Sequence, residues 1–73
     1  MQIGRNELRA GGAVSTLHAI IRKIGPAVTL ESHGRNGTYR KEANTWIRLE
    51  DRQPIVILAG DMLRFADVEV CVE

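Results

Sequence analysis

Three side chains in the first half of the chain have types that together suit an anion-binding site. Arg5, Ser15 and Asn36 stand at separated points of the 73-residue sequence. A guanidinium presents a planar fork of N–H donors that fits phosphate oxygens, and lysine does not reproduce this geometry. A serine hydroxyl is a short further donor, and an amide side chain both donates and accepts. If rigid loops bring these residues together, their donors can hold an anion.

Four motifs, three of which contain these residues, resemble in order the pattern of the forkhead-associated (FHA) family. They are Ile3-Gly4-Arg5, Ser15-Thr16-Leu17-His18, Asn36-Gly37-Thr38 and Leu58-Ala59-Gly60-Asp61. The match covers nearly the whole chain, from Ile3 to the C terminus. It implies a single FHA-like domain over residues 1–73, an all-β sandwich of the FHA/SMAD-like type. It also implies a phosphothreonine-peptide binding module in signalling, with no catalytic activity and no cofactor.

The resemblance assigns ligand contacts to five positions. Arg5 and Ser15 match the two principal phosphate contacts of the family. Thr16 can add a hydroxyl or a backbone N–H, and Arg35 adds positive charge beside the phosphate. Asn36 matches the asparagine whose side chain holds the main chain of the bound peptide.

Five further positions match residues that support the loops of the family without touching ligand. Gly4 precedes the key arginine, and Gly37 follows the key asparagine. His18 is expected to hydrogen-bond across loops and so hold the serine and asparagine segments in register. Gly60 and Asp61 match the turn before the last strand.

The sequence departs from the family pattern at several points. Gly34 stands where the family often has serine, Ala66 stands where it often has glycine, and residues 40–44 replace a Val-Asn-Gly segment. Family domains carry strands ahead of the Gly-Arg pair, so we expect a sandwich that lacks the first family strands. Its exposed strand edges could then pair with a second copy of the chain in a homodimer.

Turn residues divide the chain into short segments typical of strands. Residues 17–24 and 27–31 predict a hairpin around Gly25-Pro26, and residues 38–40 and 45–49 predict further strands. The apolar run 55–58 suits a buried strand. Along residues 68–73 the valines alternate with polar residues, which predicts a strand with Cys71 as a half-buried structural thiol. Helical spacing within residues 7–24 offers a helix as the alternative there, although Gly11-Gly12 interrupts it.

Composition restricts the partners. The formal net charge is only +1, so we expect neither nucleic acid nor a membrane surface as the partner. No apolar run approaches the roughly 18 residues that a membrane-spanning helix needs. One cysteine leaves no internal disulfide, which fits a cytoplasmic protein.

Other readings of the same residues are weaker. Ser15, His18 and Asp61 could be a catalytic triad, but the serine has neither a nucleophile-elbow setting nor an evident oxyanion hole. The spacing of the two histidines and the cysteine matches no zinc pattern.

Two alternative functions remain open. The first is an FHA-like structural or assembly module without phosphate recognition, which could form a homodimer. A nucleic-acid binder that uses Arg35, Arg40 and Lys41 ranks last, because the chain has few aromatic residues and little net charge.

Overall fold

Eight β-strands and one short helix make up the protein in the computed structural model, which describes residues 1–73. The elements are β1 (Gln2–Ile3), α1 (Arg5–Leu8), β2 (Ala19–Ile24), β3 (Ala27–Ser32), β4 (Thr38–Glu42), β5 (Thr45–Arg48), β6 (Ile55–Ile57), β7 (Met62–Phe65) and β8 (Val68–Cys71). Strands hold 48% of the residues and helix 5%, which confirms the all-β prediction. No helix is both long enough and apolar enough to cross a membrane.

The strands form two antiparallel four-stranded sheets. The first sheet has the order β1-β2-β3-β6, and the second has the order β5-β4-β7-β8. Residues from both sheets build the buried apolar core, whose members are Ala19, Leu30, Leu49, Ile57, Leu63 and Phe65. The predicted β-sandwich is therefore confirmed at the level of architecture.

The hairpin between β2 and β3 lies where Gly25-Pro26 predicts it. Gly25 has φ 60°, and the ring of Pro26 fixes a negative φ at the next position. This sign pattern is that of a type II′ turn, which suits the twist of a two-residue hairpin. The helix considered for residues 7–24 does not form, because α1 ends at Leu8 and β2 occupies Ala19–Ile24.

The prediction that residues 55–58 form a buried strand is wrong. β6 spans only Ile55–Ile57 and lies at the edge of the first sheet. Ile57 is buried, whereas Val56 is 50% exposed and Leu58 is 66% exposed. An edge strand of a sandwich turns only alternate residues toward the core, so a continuous apolar run does not by itself indicate burial on both faces.

The last strand, β8, pairs with β7 and shows the predicted alternation. Val68 and Val70 are half-buried, while Glu69 and Cys71 are exposed. The prediction of a half-buried thiol at Cys71 is therefore wrong. Its neighbour across the ladder is Met62, on the outer face of the second sheet.

The turn between β4 and β5 was not evident from the sequence. Ala43 has φ 48° and Asn44 has φ 67°, so both central residues of this two-residue loop are left-handed. That is the pattern of a type I′ turn, in which glycine is the usual second residue. Alanine in this conformation brings Cβ too close to the following carbonyl oxygen and costs about 1–2 kcal/mol.

Ala43→Gly is expected to stabilise the protein. The substitution removes the left-handed penalty of an exposed alanine, and the larger chain entropy of glycine offsets part of the gain. We expect the free energy of unfolding, measured by urea titration, to rise by about 0.5–1 kcal/mol. Ala59→Gly is the matched control, since Ala59 is an exposed turn residue without positive φ. An equal gain in both variants would contradict the explanation.

Candidate functional site

One cleft of about 330 Å³ opens at the end of the sandwich where β2 begins and β3 ends. It lies between the loop of residues 9–18 and the loop of residues 33–37. Its lining is mostly polar and consists of Arg5, Gly12, Ala13, Ser15, Thr16, Arg35 and Asn36. The five side chains predicted to contact ligand thus lie around one cavity, although they come from three separated parts of the sequence.

Arg5 is held at the cleft by its own backbone and by one side-chain nitrogen. Its N–H donates to the carbonyl of Ser15 at 3.0 Å, and its Nε donates to the carbonyl of Val14 at 3.0 Å. The two terminal Nη groups form no ion pair and no hydrogen bond within the chain. The guanidinium is therefore oriented by the protein while its outer donors stay available to an anion.

Gly4 allows this approach of the arginine segment. A Cβ at Gly4 would lie 1.7 Å from the carbonyl oxygen of Thr16, so only glycine fits between the two segments. The N–H of Gly4 donates to the carboxylate of Glu7 at 2.9 Å, which fixes the start of α1.

Ser15 and Thr16 present donors from the opposite loop. The Ser15 Oγ accepts a hydrogen bond from the backbone N–H of Arg35 at 3.2 Å. Because this contact uses an oxygen lone pair, the hydroxyl proton remains free to be donated. The backbone N–H of Thr16 makes no hydrogen bond within the chain, and the residue is exposed at the cleft.

Asn36 closes the other side of the cleft. Its Nδ2 donates to the carbonyl of Ala13 at 2.7 Å, which ties the two loops together. This bond leaves the Oδ1 of Asn36 as an acceptor for a ligand N–H. Arg35 beside it is exposed, and its guanidinium has no carboxylate partner.

His18 lies beneath the cleft and is fully buried. Its Nδ1 accepts from the backbone N–H of Ser15 at 3.1 Å, and its Nε2 contacts the carbonyl of Gly37 at 2.7 Å. Since a carbonyl only accepts, Nε2 must carry the proton, and the ring is assigned as the neutral Nε2–H tautomer. The carbonyl of His18 also accepts from the N–H groups of His33 and Gly34, at 2.8 and 2.9 Å.

Two glycines let the loop of residues 33–37 pack closely. A Cβ at Gly34 would lie 2.3 Å from the His18 ring, so the imidazole occupies the space that a side chain would need. This contact explains physically why serine, common at this point in the FHA pattern, does not fit here. Gly37 has φ 82°, and a Cβ at this position would lie 2.9 Å from Nε of Arg48.

Polar groups and an aromatic ring support these loops from inside the sandwich. The buried hydroxyls of Ser32, in β3, and Thr38, in β4, are hydrogen-bonded at 2.9 Å and so link the two sheets. The Phe65 ring meets the His18 ring edge to face, with centroids 6.0 Å apart and an interplanar angle of 82°. The buried side-chain nitrogens and oxygens of His18, Ser32 and Thr38 all have hydrogen-bond partners, which makes the loop positions well defined.

Gly60 and Asp61 lie in the turn before β7 and do not line the cleft. Gly60 has φ 93°, and the Asp61 carboxylate accepts from the N–H of Leu58 at 2.8 Å. The alternative of a catalytic triad of Ser15, His18 and Asp61 does not assemble: His18 meets the backbone N–H of Ser15, not its hydroxyl, and Asp61 is engaged in its own turn. No group of three or more histidine, cysteine, aspartate or glutamate side chains is arranged to hold a metal ion.

Arg48 is the cationic residue near the cleft that sequence reasoning missed. Its Nη2 donates to the carbonyl of Arg35 at 3.4 Å, and its guanidinium covers Gly37. Nothing in the local sequence signals this role, because it depends on β5 ending beside the loop of residues 33–37. Together with Arg5 and Arg35 it gives this end of the protein a positive charge that the net charge of +1 conceals.

The comparisons with known proteins gave no match: no family model matches the sequence, and no curated protein or solved structure matches the chain. The chemistry of the cleft therefore follows from its own residues.

Gly34→Ala is expected to destabilise the protein and disturb the cleft. The new methyl group would overlap the buried His18 ring, and overpacking of this kind costs about 1–3 kcal/mol. Urea unfolding measures the loss of stability, and the backbone NMR shift of Ser15 reports the displaced imidazole. Gly11→Ala is the matched control, because a Cβ there meets no atom within 4 Å. Similar effects of the two substitutions would refute the steric argument.

Proposed function

We propose that the chain is a phosphothreonine-peptide binding module of the FHA type, which mediates phosphorylation-dependent protein–protein interaction in signalling. One observation carries the proposal. At a single cleft, Arg5 presents unpaired Nη groups, Ser15 a free hydroxyl proton and Thr16 an unpaired backbone N–H. These are the donors that the FHA resemblance expects at these positions.

The chemistry of the donors suits a phosphate monoester. Such a group carries about −1.5 to −2 charges at neutral pH and three strong acceptor oxygens. Two terminal nitrogens of Arg5 can contact two of these oxygens, while Ser15 and Thr16 supply donors to the third. Arg35 adds charge at the rim, and no carboxylate lines the cleft.

The peptide around the phosphorylated residue would be held by Asn36. Its Nδ2 is bound to Ala13, so the free Oδ1 can accept a main-chain N–H of an extended ligand. His18 takes no part in contact with ligand, since it is fully buried and both ring nitrogens already have partners. Its contribution is to keep the Ser15 and Asn36 loops at the separation that a ligand needs.

The test is a titration with a degenerate phosphothreonine peptide library, its unphosphorylated twin and its phosphoserine twin, followed by fluorescence anisotropy. We expect binding of the phosphothreonine library and none of the unphosphorylated one. Arg5→Ala should weaken binding at least tenfold, because a hydrogen bond to a charged group contributes about 1.5–3 kcal/mol. Ser15→Ala should weaken it less.

Lys23→Ala is the control for loss of one positive charge. Lys23 is exposed in β2, forms no ion pair and does not line the cleft. Its substitution should leave the affinity within about twofold, because an exposed charge outside the Debye length is screened. Equal, weak binding of both libraries, or an Arg5→Ala variant as strong as the parent, would count decisively against phosphate recognition.

A second candidate, an assembly module that forms homodimers, is favoured by a separate observation. Ile24, Val56 and Leu58 are 62%, 50% and 66% exposed. By strand register, Val56 lies opposite Thr29, and Ile24 opposite Ala27, on the outer face of the first sheet. Exposed apolar residues grouped in this way are typical of contact surfaces.

Sedimentation equilibrium over a hundredfold range of concentration tests the assembly candidate. A dimer that dissociates on dilution and is weakened by Leu58→Lys is expected if the outer face of the first sheet is the contact. The carboxylate variant Glu31→Gln, on the same face but away from Leu58, should leave the association unchanged. A monomer at every concentration would exclude homodimerisation by this face.

A further inference from the structure

The outer face of the second sheet carries cations and aromatic rings without a function in the cleft. Strand register puts Arg48, Tyr39, Arg64 and Glu69 in one row across β5, β4, β7 and β8. The next row begins with Trp46 and Lys41. We use the term basic-aromatic face for Tyr39, Lys41, Trp46, Arg48 and Arg64.

Arg64 is held flat against two rings of the basic-aromatic face. Its guanidinium carbon lies 4.3 Å from the centroid of Tyr39 and 5.0 Å from that of Trp46. The group forms no ion pair, and its Nε is buried without any hydrogen-bond partner. The buried Nε cannot reach a ligand, but the terminal Nη groups form no ion pair and are held in place by the rings, so they are preorganised for an anion that comes from outside the chain.

The other cations of this face are similarly free of carboxylates. The Lys41 ammonium lies 5.8 Å from the centroid of Trp46 and forms no ion pair. Arg48 donates only to the carbonyl of Arg35. Glu69 is the cross-strand neighbour of Arg64, but the two side chains form no salt bridge.

The basic-aromatic face is continuous with the cleft. Arg48 belongs to the row that includes Tyr39 and Arg64, and it also contacts the loop of Arg35 and Asn36. Neighbouring strands lie about 4.8 Å apart, so the distance from β5 to β7 is roughly 10 Å. An extended peptide covers about 3.3–3.6 Å per residue, so three residues would reach from Arg48 to Arg64.

We propose that the basic-aromatic face binds a short run of acidic residues that flanks the phosphothreonine in the same partner segment. The proposal rests on the proposed function, because the phosphate would hold the segment at the cleft. Carboxylates would contact the outer donors of Arg48 and Arg64 and the ammonium of Lys41. The rings of Tyr39 and Trp46 position two of these cations, Arg64 and Lys41.

An acidic peptide fits this surface better than a nucleic acid does. Bases would have to stack on the rings of Tyr39 and Trp46, but Arg64 and Lys41 already cover them. Glu69 ends the row with a negative charge, which would repel a continuing phosphodiester backbone. A run of a few carboxylates needs only Arg48 and Arg64, which precede Glu69 in this row, and Lys41 in the next row.

The experiment compares three peptides of one sequence frame. One carries phosphothreonine with neutral flanks, the second phosphothreonine followed by four acidic residues, and the third threonine followed by the same four residues. Affinity is measured by calorimetry. Trp46 is the only tryptophan, so its fluorescence reports occupancy of the basic-aromatic face directly.

We expect the acidic phosphopeptide to bind about fivefold to tenfold more tightly than the neutral one, and to change the Trp46 emission. Arg64→Gln should remove most of this preference and leave the affinity for the neutral phosphopeptide within twofold. Lys41→Gln, at an exposed residue, should reduce the preference without risk to the fold. Lys23→Gln, with the same loss of charge on the other sheet, should change neither quantity.

The remaining outcomes of this experiment distinguish the acidic-segment proposal from the proposed phosphothreonine binding. Equal affinity for the two phosphopeptides, with unchanged Trp46 emission, would overturn the acidic-segment proposal and leave phosphate recognition standing. Failure of the neutral phosphopeptide to bind, together with Arg64-dependent binding of the unphosphorylated acidic peptide, would support the face and overturn the proposed function. Tighter binding of a single-stranded oligothymidylate than of the acidic phosphopeptide, with Trp46 quenching, would overturn the choice of ligand.

Discussion

The placement of the His18 imidazole is the constraint on which the cleft depends. One buried ring satisfies the N–H of Ser15 and the carbonyl of Gly37, and the backbone of the same residue holds the start of the loop of residues 33–37. Two loops that are distant in sequence thereby become one surface. An unsatisfied polar group beneath the cleft would destabilise the protein by more than one new exposed contact could stabilise it. The His18 ring therefore has a single stable arrangement.

This arrangement divides the residues of the cleft into two layers. The inner layer is neutral, buried and hydrogen-bonded, and it continues through the hydroxyls of Ser32 and Thr38 into both sheets. The outer layer is cationic and exposed, with Arg35 unpaired and Arg5 fixed at Nε alone. A site with rigid support and unpaired outer donors can receive an anion with little reorganisation.

The parts of the fold that sequence could predict were those encoded locally. Gly25-Pro26 marks its own turn, and the alternating valines of β8 mark their own face. What sequence could not predict depends on pairing between distant strands. The edge position of β6 exposes Val56 and Leu58, while the outward direction of Cys71 and the approach of Arg48 to the cleft follow from sheet order. The sequence could assign the motif residues to one site only through their resemblance to a family pattern, which supplied the long-range information. Phosphate binding by these residues remains a prediction.

The close fit of Gly34 against the His18 ring has an evolutionary consequence. Replacing either residue disturbs the packing of the whole domain, so selection for folding alone suffices to preserve them. Exposed Arg35 and the outer nitrogens of Arg5 make little contribution to packing, so selection for folding alone would not preserve them. A descendant under selection for folding alone would keep the histidine and glycine and let the arginines drift. The ratio of substitution rates in these two layers would therefore distinguish selection for folding from selection for a function of the cleft.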